Sequence, residues 1–244
     1  TDVERGAFAR ANLVDRGGRG IGPLAYWRAE RNVPAVSVAV VHAGRVVWTW
    51  AGGRARADER TQVTPNFRFQ AGSLSKPVAA LRVLQLARDG QVDLDAPVND
   101  YLTTWQVPPH RWRDDAPVTP ALLLQHRAGT TVGRFPGYLP GARLPALAET
   151  LHGTGPANHD AVVVQRKPGL RTDYSAGGYQ VLQALVEALD RQPFAESLAL
   201  HVLQPLGMES SAFDQPRERA RGRAAAGHDE AGAVLEGFVR VYPE

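Results

Sequence analysis

The sequence predicts a mixed α/β protein in which an antiparallel pair of strands near the start is followed by a mostly helical stretch packed on, or inserted into, the sheet. Three observations carry that expectation. Ala35 to Val41 is a continuous valine-rich run, and Val46-Val47-Trp48-Thr49-Trp50 follows it across Ala43-Gly44, the pattern of two strands joined by a tight turn. Further on, apolar residues recur at helical spacing after Ser73 and again between Gly177 and Asp190. Finally, 244 residues with 43% hydrophobic content can bury a sizeable core.

Taken in order, Leu24, Trp27 and Ala29 in a polar stretch ending before Pro34 predict a helix that covers the sheet. Phe67-Arg68-Phe69 reads as a short extended piece leading into a helix that turns Leu74, Val78, Leu81, Leu84 and Leu86 inward and stops at Asp89-Gly90. From about residue 91 to 172, prolines such as Pro97, Pro108, Pro109, Pro117 and Pro136 break the chain into short pieces. Pro120 to His126 is a helical turn closed by Gly129. The next long helix, Gly177 to Asp190, faces Tyr179, Leu182, Leu185, Val186 and Leu189 inward, and Phe194 to Leu203 forms another. The expected organisation is 1–66 for the first helix and strands, 67–215 for the helical part, and 216–244 for a segment returning toward the sheet.

Composition excludes several functions. A balance of 28 basic against 25 acidic residues, without a lysine-rich tail, gives no nucleic-acid footprint, and Arg217, Arg219, Arg221 and Arg223 read as a solvated face. There is no cysteine, so disulfides and thiolate chemistry are excluded, and no apolar run has the length of a membrane span. His152, His159 and Asp160 lie in a Gly/Pro loop without metal-ligand spacing, so neither metal nor cofactor is expected. His126 reads as tying down a turn, and His228-Asp229-Glu230 as an exposed turn.

The chemistry is concentrated in Ser73-Leu74-Ser75-Lys76-Pro77. Only two of the 28 basic residues are lysines, Lys76 and Lys167, and a lysine, unlike an arginine, can give up its proton near neutral pH. Proline clashes with the carbonyl four residues back, so Pro77 confines Ser73 to a helix entrance, where unpaired N–H groups favour alkoxide character by about 0.3 to 1 kcal/mol. Lys76, three residues on, shares the helix face of Ser73. For the amine to act as a base its pKa must fall by roughly three units, about 4 kcal/mol, which burial can supply. Tyr174, just before the second long helix, is the expected proton relay between serine, amine and leaving group.

Four segments occur in order: Ser73-Leu-Ser-Lys76-Pro, Leu122-Leu-Leu-Gln-His126-Arg-Ala-Gly129, Pro168-Gly-Leu-Arg-Thr-Asp-Tyr174-Ser-Ala-Gly-Gly-Tyr179, and Pro205-Leu-Gly-Met208. From about Val33 onward the chain resembles the serine β-lactamase and penicillin-binding-protein superfamily, closest to its class C β-lactamase, esterase and D-aminopeptidase branch. The resemblance implies a β-lactamase-like fold, an antiparallel sheet flanked by helices plus a helical subdomain. It also implies acylation of Ser73, proton acceptance by Lys76 and assistance by Tyr174, on esters, β-lactams or D-configured amides. Esterase or peptidase activity ranks ahead of strong β-lactamase activity, and a periplasmic or secreted location ahead of a cytoplasmic one.

Two departures stand out. Ala176 occupies the position of the asparagine in the family's Tyr-x-Asn motif; it and Gln125 are the expected substrate-facing positions. In addition, no Lys- or His-Thr/Ser-Gly motif follows Tyr174; His152-Gly-Thr-Gly155 precedes it. In the family that motif lies on a strand that gives the second oxyanion donor, the first being the Ser73 N–H, and loss of one donor costs about 10²- to 10³-fold in rate. The expectation is a sheet completed by a missing C-terminal segment on a second polypeptide. The alternative is a non-catalytic penicillin-binding or structural fragment that needs another chain to complete its site.

Overall fold

A computed structural model describes residues 24–138, 141–213 and 224–235, which fall into two compact units: 24–70 with 224–235, and 71–213. The arginines at 217 to 223 lie outside the described residues.

In the first unit, helix α1 (Leu24–Glu30) precedes an antiparallel hairpin of β1 (Ala35–His42) and β2 (Arg45–Gly53). Ala43 and Gly44 both take positive φ, 47° and 72°, the two-residue turn whose twist matches that of paired strands. The pairing runs Ala35↔Gly53 to His42↔Arg45, and Val47 is the extra residue of a bulge between Val40↔Trp48 and Val41↔Val46. Gly53 is required at the end of β2. With φ at 101°, a Cβ there would lie 2.0 Å from the Pro34 carbonyl oxygen, which already accepts a 2.6 Å hydrogen bond from Arg28 of α1.

Residues 224–235 return to the first unit, Ala225 and Ala226 donating their amides to the carbonyls of Arg68 and Ala55 at 2.9 Å. His228 differs from expectation. It is half-buried and its Nε2 accepts the Ala57 amide at 3.0 Å, because the Ala226 amide, two residues before it, is bonded to the Ala55 carbonyl and brings the two stretches together; Asp229 and Glu230 are exposed.

The second unit is helical: α2 (Ser75–Arg88), α3 (Pro120–Leu124), α4 (Leu147–His152), α5 (Ala176–Asp190) and α6 (Phe194–Leu198), the last running into a π-helical segment, Ala199–Leu203. Helix α5 is central and packs against α2, α3, α4 and α6. Val181, Leu182, Leu185 and Val186 are fully buried, with Leu123, Leu151, Val162, Leu198 and Val202 around them. Tyr179 and Leu189 are partly buried against this core, so the expected inner face of α5 forms.

Helix α2 is rotated from the expected orientation. Its buried residues are Ala79, Arg82, Val83 and Leu86, while Leu74, Leu81 and Leu84 remain 76%, 44% and 46% exposed. The reason is a buried ion pair. Arg82 donates Nε to Asp190 of α5 at 2.9 Å and also pairs through Nη2, and Ser197 of α6 bonds the same carboxylate. With both charged side chains about 95% buried, Arg82 has to face α5 and Leu81 turns outward.

Candidate active site

A single 3-10 turn, Gly72–Leu74, feeds directly into α2, whose third residue is Pro77. Gly72 takes φ of 53°, so the chain reverses just before Ser73 and leaves that side chain exposed at the helix mouth. Half-buried Lys76 lies one turn along and donates Nζ to Ser73 Oγ at 3.3 Å. Tyr174 comes from the start of α5, and its phenol lies 2.8 Å from Ser73 Oγ. The Lys76 nitrogen sits 5.1 Å from the Tyr174 ring centre and 5.5 Å from that of Tyr179, a cation held by two aromatic faces.

The start of α5 is locked from below. Ser175, its N-cap, is 2% exposed and its Oγ accepts the Gly178 amide at 2.9 Å. The same oxygen donates to the Thr131 carbonyl at 2.7 Å and accepts from Thr130 Oγ1 at 2.9 Å. Gly177 allows this approach, since a Cβ there would lie 2.8 Å from the Thr131 carbonyl. The Gly177-Gly178 pair therefore serves helix packing, which holds Tyr174 over Ser73.

The phenol is electrostatically biased. Burial pushes Tyr174 up, but hydrogen bonding with Lys76 and Ser73 and the Lys76 charge outweigh it and hold the phenol below the usual tyrosine value. Tyr179 is pushed up, chiefly by burial and then by its neighbour Tyr174.

Of the residues expected in the site, Ser73, Lys76 and Tyr174 come together. Ala176 is nearly buried as the first residue of α5, and exposed Gln125 accepts from Arg127 at 3.4 Å; among the described residues neither hydrogen-bonds to the other three. Tyr179 packs against the core as its spacing predicts, but its ring also faces Lys76, a second contact that sequence reasoning missed. The available signal was its spacing of five residues from Tyr174 across a helix N-cap, which allows both rings to meet one amine.

The fold is of the β-lactamase type, and it brings a serine hydroxyl, a lysine amine and a phenol within contact of one another. A family model described as beta-lactamase matches residues 11–241, and the chain belongs to that family, whose members are serine hydrolases of β-lactams, amides and esters. It is 27% identical over 181 residues to a putative penicillin-binding protein, PbpX, of Bacillus subtilis, covering 74% of this chain and 41% of that protein. Among solved structures it is similar to an octameric penicillin-binding protein homologue from Pyrococcus abyssi, with TM-score 0.67, 26% identity, and 90% and 49% of the two chains covered. It is also similar to a class C beta-lactamase from Rhodobacter sphaeroides, with TM-score 0.62, 25% identity, and 90% and 56% covered. The chain spans about 40% of the length of the curated relatives it matches.

Proposed function

We propose that Ser73 is the nucleophile of a serine hydrolase that passes through an acyl-enzyme, with Lys76 as base and Tyr174 as proton relay. The observation that carries this is the unbroken contact from Lys76 Nζ to Ser73 Oγ, 3.3 Å, and on to the Tyr174 phenol, 2.8 Å. Ser73 Oγ bonds to the substrate carbonyl carbon while its proton passes to the Lys76–Tyr174 pair. The carbon–leaving-group bond then breaks, and the leaving group takes that proton from Tyr174. Water, giving its proton to the same pair, attacks the ester carbonyl; Ser73 recovers a proton and the acid is released. Because its pKa is held below the ordinary value, Tyr174 more readily forms the phenolate, and that phenolate is the acceptor to which Lys76 sheds its own proton.

The substrate class is an ester, a β-lactam or a D-configured amide, in line with what the family hydrolyses, and esters rank first because Ala176 supplies no side-chain amide to hold a peptide-like substrate. The remaining wall of the site comes from a further polypeptide segment carrying the Lys/His-Thr/Ser-Gly motif, as the 40% coverage of relatives supports. The test is to incubate the protein with a chromogenic ester and with a penicillin, and to follow both turnover and mass. An adduct with turnover, both lost in Ser73→Ala, supports the hydrolase. A lasting adduct without turnover supports a penicillin-binding module instead, and the absence of any adduct defeats both.

A further inference from the structure

We propose that His126, in its neutral form, is a positioning residue for Tyr174, its unprotonated Nδ1 anchoring the backbone that carries the phenol onto Ser73. This rests on the serine-hydrolase reading above and adds a residue and a protonation requirement to it. His126 follows α3 in a left-handed conformation, φ 56°, which turns its ring back toward the start of α5. The ring packs on Tyr174 with centroids 4.4 Å apart and on Tyr179 at 5.1 Å, tilted by 34° and 38°. Its Nδ1 accepts the Ser175 amide at 3.2 Å, and its carbonyl accepts the Asp173 amide at 2.8 Å. The residues on both sides of Tyr174 are thus fastened to one histidine, and the phenol is held against the ring of that same histidine.

The N–H of Ser175 points at Nδ1, so that nitrogen carries a lone pair and the proton of the neutral ring is on Nε2. Protonation would place a second N–H against the Ser175 amide and a second positive charge beside Lys76. Burial, and then the Lys76 charge, hold His126 below the usual histidine range, so the neutral form persists into mildly acidic solution. The titratable groups facing it are Lys76 from α2, Tyr174 ahead of α5 and Tyr179 from within α5. Arg127 is its chain neighbour, with a guanidinium on the Gly169 carbonyl, and Asp173 is held by Arg166 and Arg171.

His126→Phe keeps an aromatic platform without the acceptor, whereas His126→Asn keeps an acceptor at the same reach and tolerates left-handed φ. With a chromogenic ester, His126→Phe lowers kcat about 10- to 100-fold at near-constant KM, the cost of a misplaced catalytic group, and His126→Asn recovers most of that loss. Below the His126 pKa the wild-type rate falls more steeply with acid than that of His126→Asn, which has no ring to protonate. Ultraviolet titration against a Tyr174→Phe blank reads the phenol directly, and its pKa rises toward 10.0 in His126→Phe. A wild-type rate in His126→Phe, a retained steep acid limb in His126→Asn, or a phenol pKa unchanged in His126→Phe overturns the proposal. If the wild type forms no adduct with any acylating probe, the hydrolase reading fails on its own, and the phenol titration still decides the role of His126.

Discussion

The Ser73 hydroxyl and the Tyr174 phenol lie 2.8 Å apart although 101 residues separate them in the chain. Each stands immediately ahead of a long helix, α2 or α5, and these two helices pack together in the second unit. The contact is therefore built from two helix starts converging on one point, with Lys76 reaching it from the first turn of α2.

Lys76→Arg separates charge from basicity. The guanidinium keeps a cation near the Tyr174 and Tyr179 rings but cannot be deprotonated at working pH. The acylation rate is expected to fall by about 10²- to 10⁴-fold with little change in melting temperature. Stopped-flow acylation with a chromogenic ester, beside thermal denaturation, measures the two effects. A variant within a few-fold of wild type removes Lys76 from the role of base.

Tyr174→Phe tests the phenol through its pH dependence. The folded pKa is lowered, so the proton-accepting phenolate is present above that value and is lost as pH falls through it. The wild-type acylation rate therefore rises with pH through a limb lying below the ordinary tyrosine value of 10.0. The Phe variant loses that limb and about 10²- to 10⁴-fold in rate. A kcat profile of the same shape in both proteins would assign the limb to another group.

Ser73, Lys76 and the hairpin were legible in the sequence because local rules determine them. Pro77 can sit only in a first helical turn, and Ala43-Gly44 is compatible with a two-residue turn. The orientation of α2 was not legible, since Leu74, Leu81 and Leu84 fit a helical stripe as well as Val83 and Leu86 do. What decided it was Asp190, 108 residues away, pairing with Arg82 in the interior. The hydrogen bond between His126 and Ser175 was hidden for a similar reason, as the two residues are 49 apart in the chain.

Leu86→Ala and Leu84→Ala measure that orientation. Leu86 is fully buried and Leu84 is 46% exposed, though both were expected on one inner face. Truncating Leu86 is expected to cost about 2 to 5 kcal/mol, against roughly 0.5 kcal/mol or less for Leu84. Urea denaturation of the two variants distinguishes the faces, and equal costs would contradict the rotation of α2 described above.

Asp190 makes the second unit sensitive to acid and to loss of its partner. Burial pushes its carboxyl up, but the Arg82 and Ser197 hydrogen bonds and the Arg82 charge outweigh that and hold it below the ordinary aspartate value of 3.8. A depressed carboxyl contributes its stability above the unfolded pKa and loses it as pH falls through the folded one, so the loss falls in the region below about pH 4. At neutral pH, Asp190→Ala leaves the Arg82 guanidinium buried and unpaired, and is expected to cost about 3 to 5 kcal/mol. Replacing both partners, as Arg82→Met with Asp190→Leu, leaves no orphaned charge and is expected to recover most of that loss. The three proteins can be compared by thermal denaturation at neutral pH and at pH 3 to 4. A double variant as unstable as Asp190→Ala would mean that the pair itself, rather than the stranded charge, sustains the packing of α2 on α5.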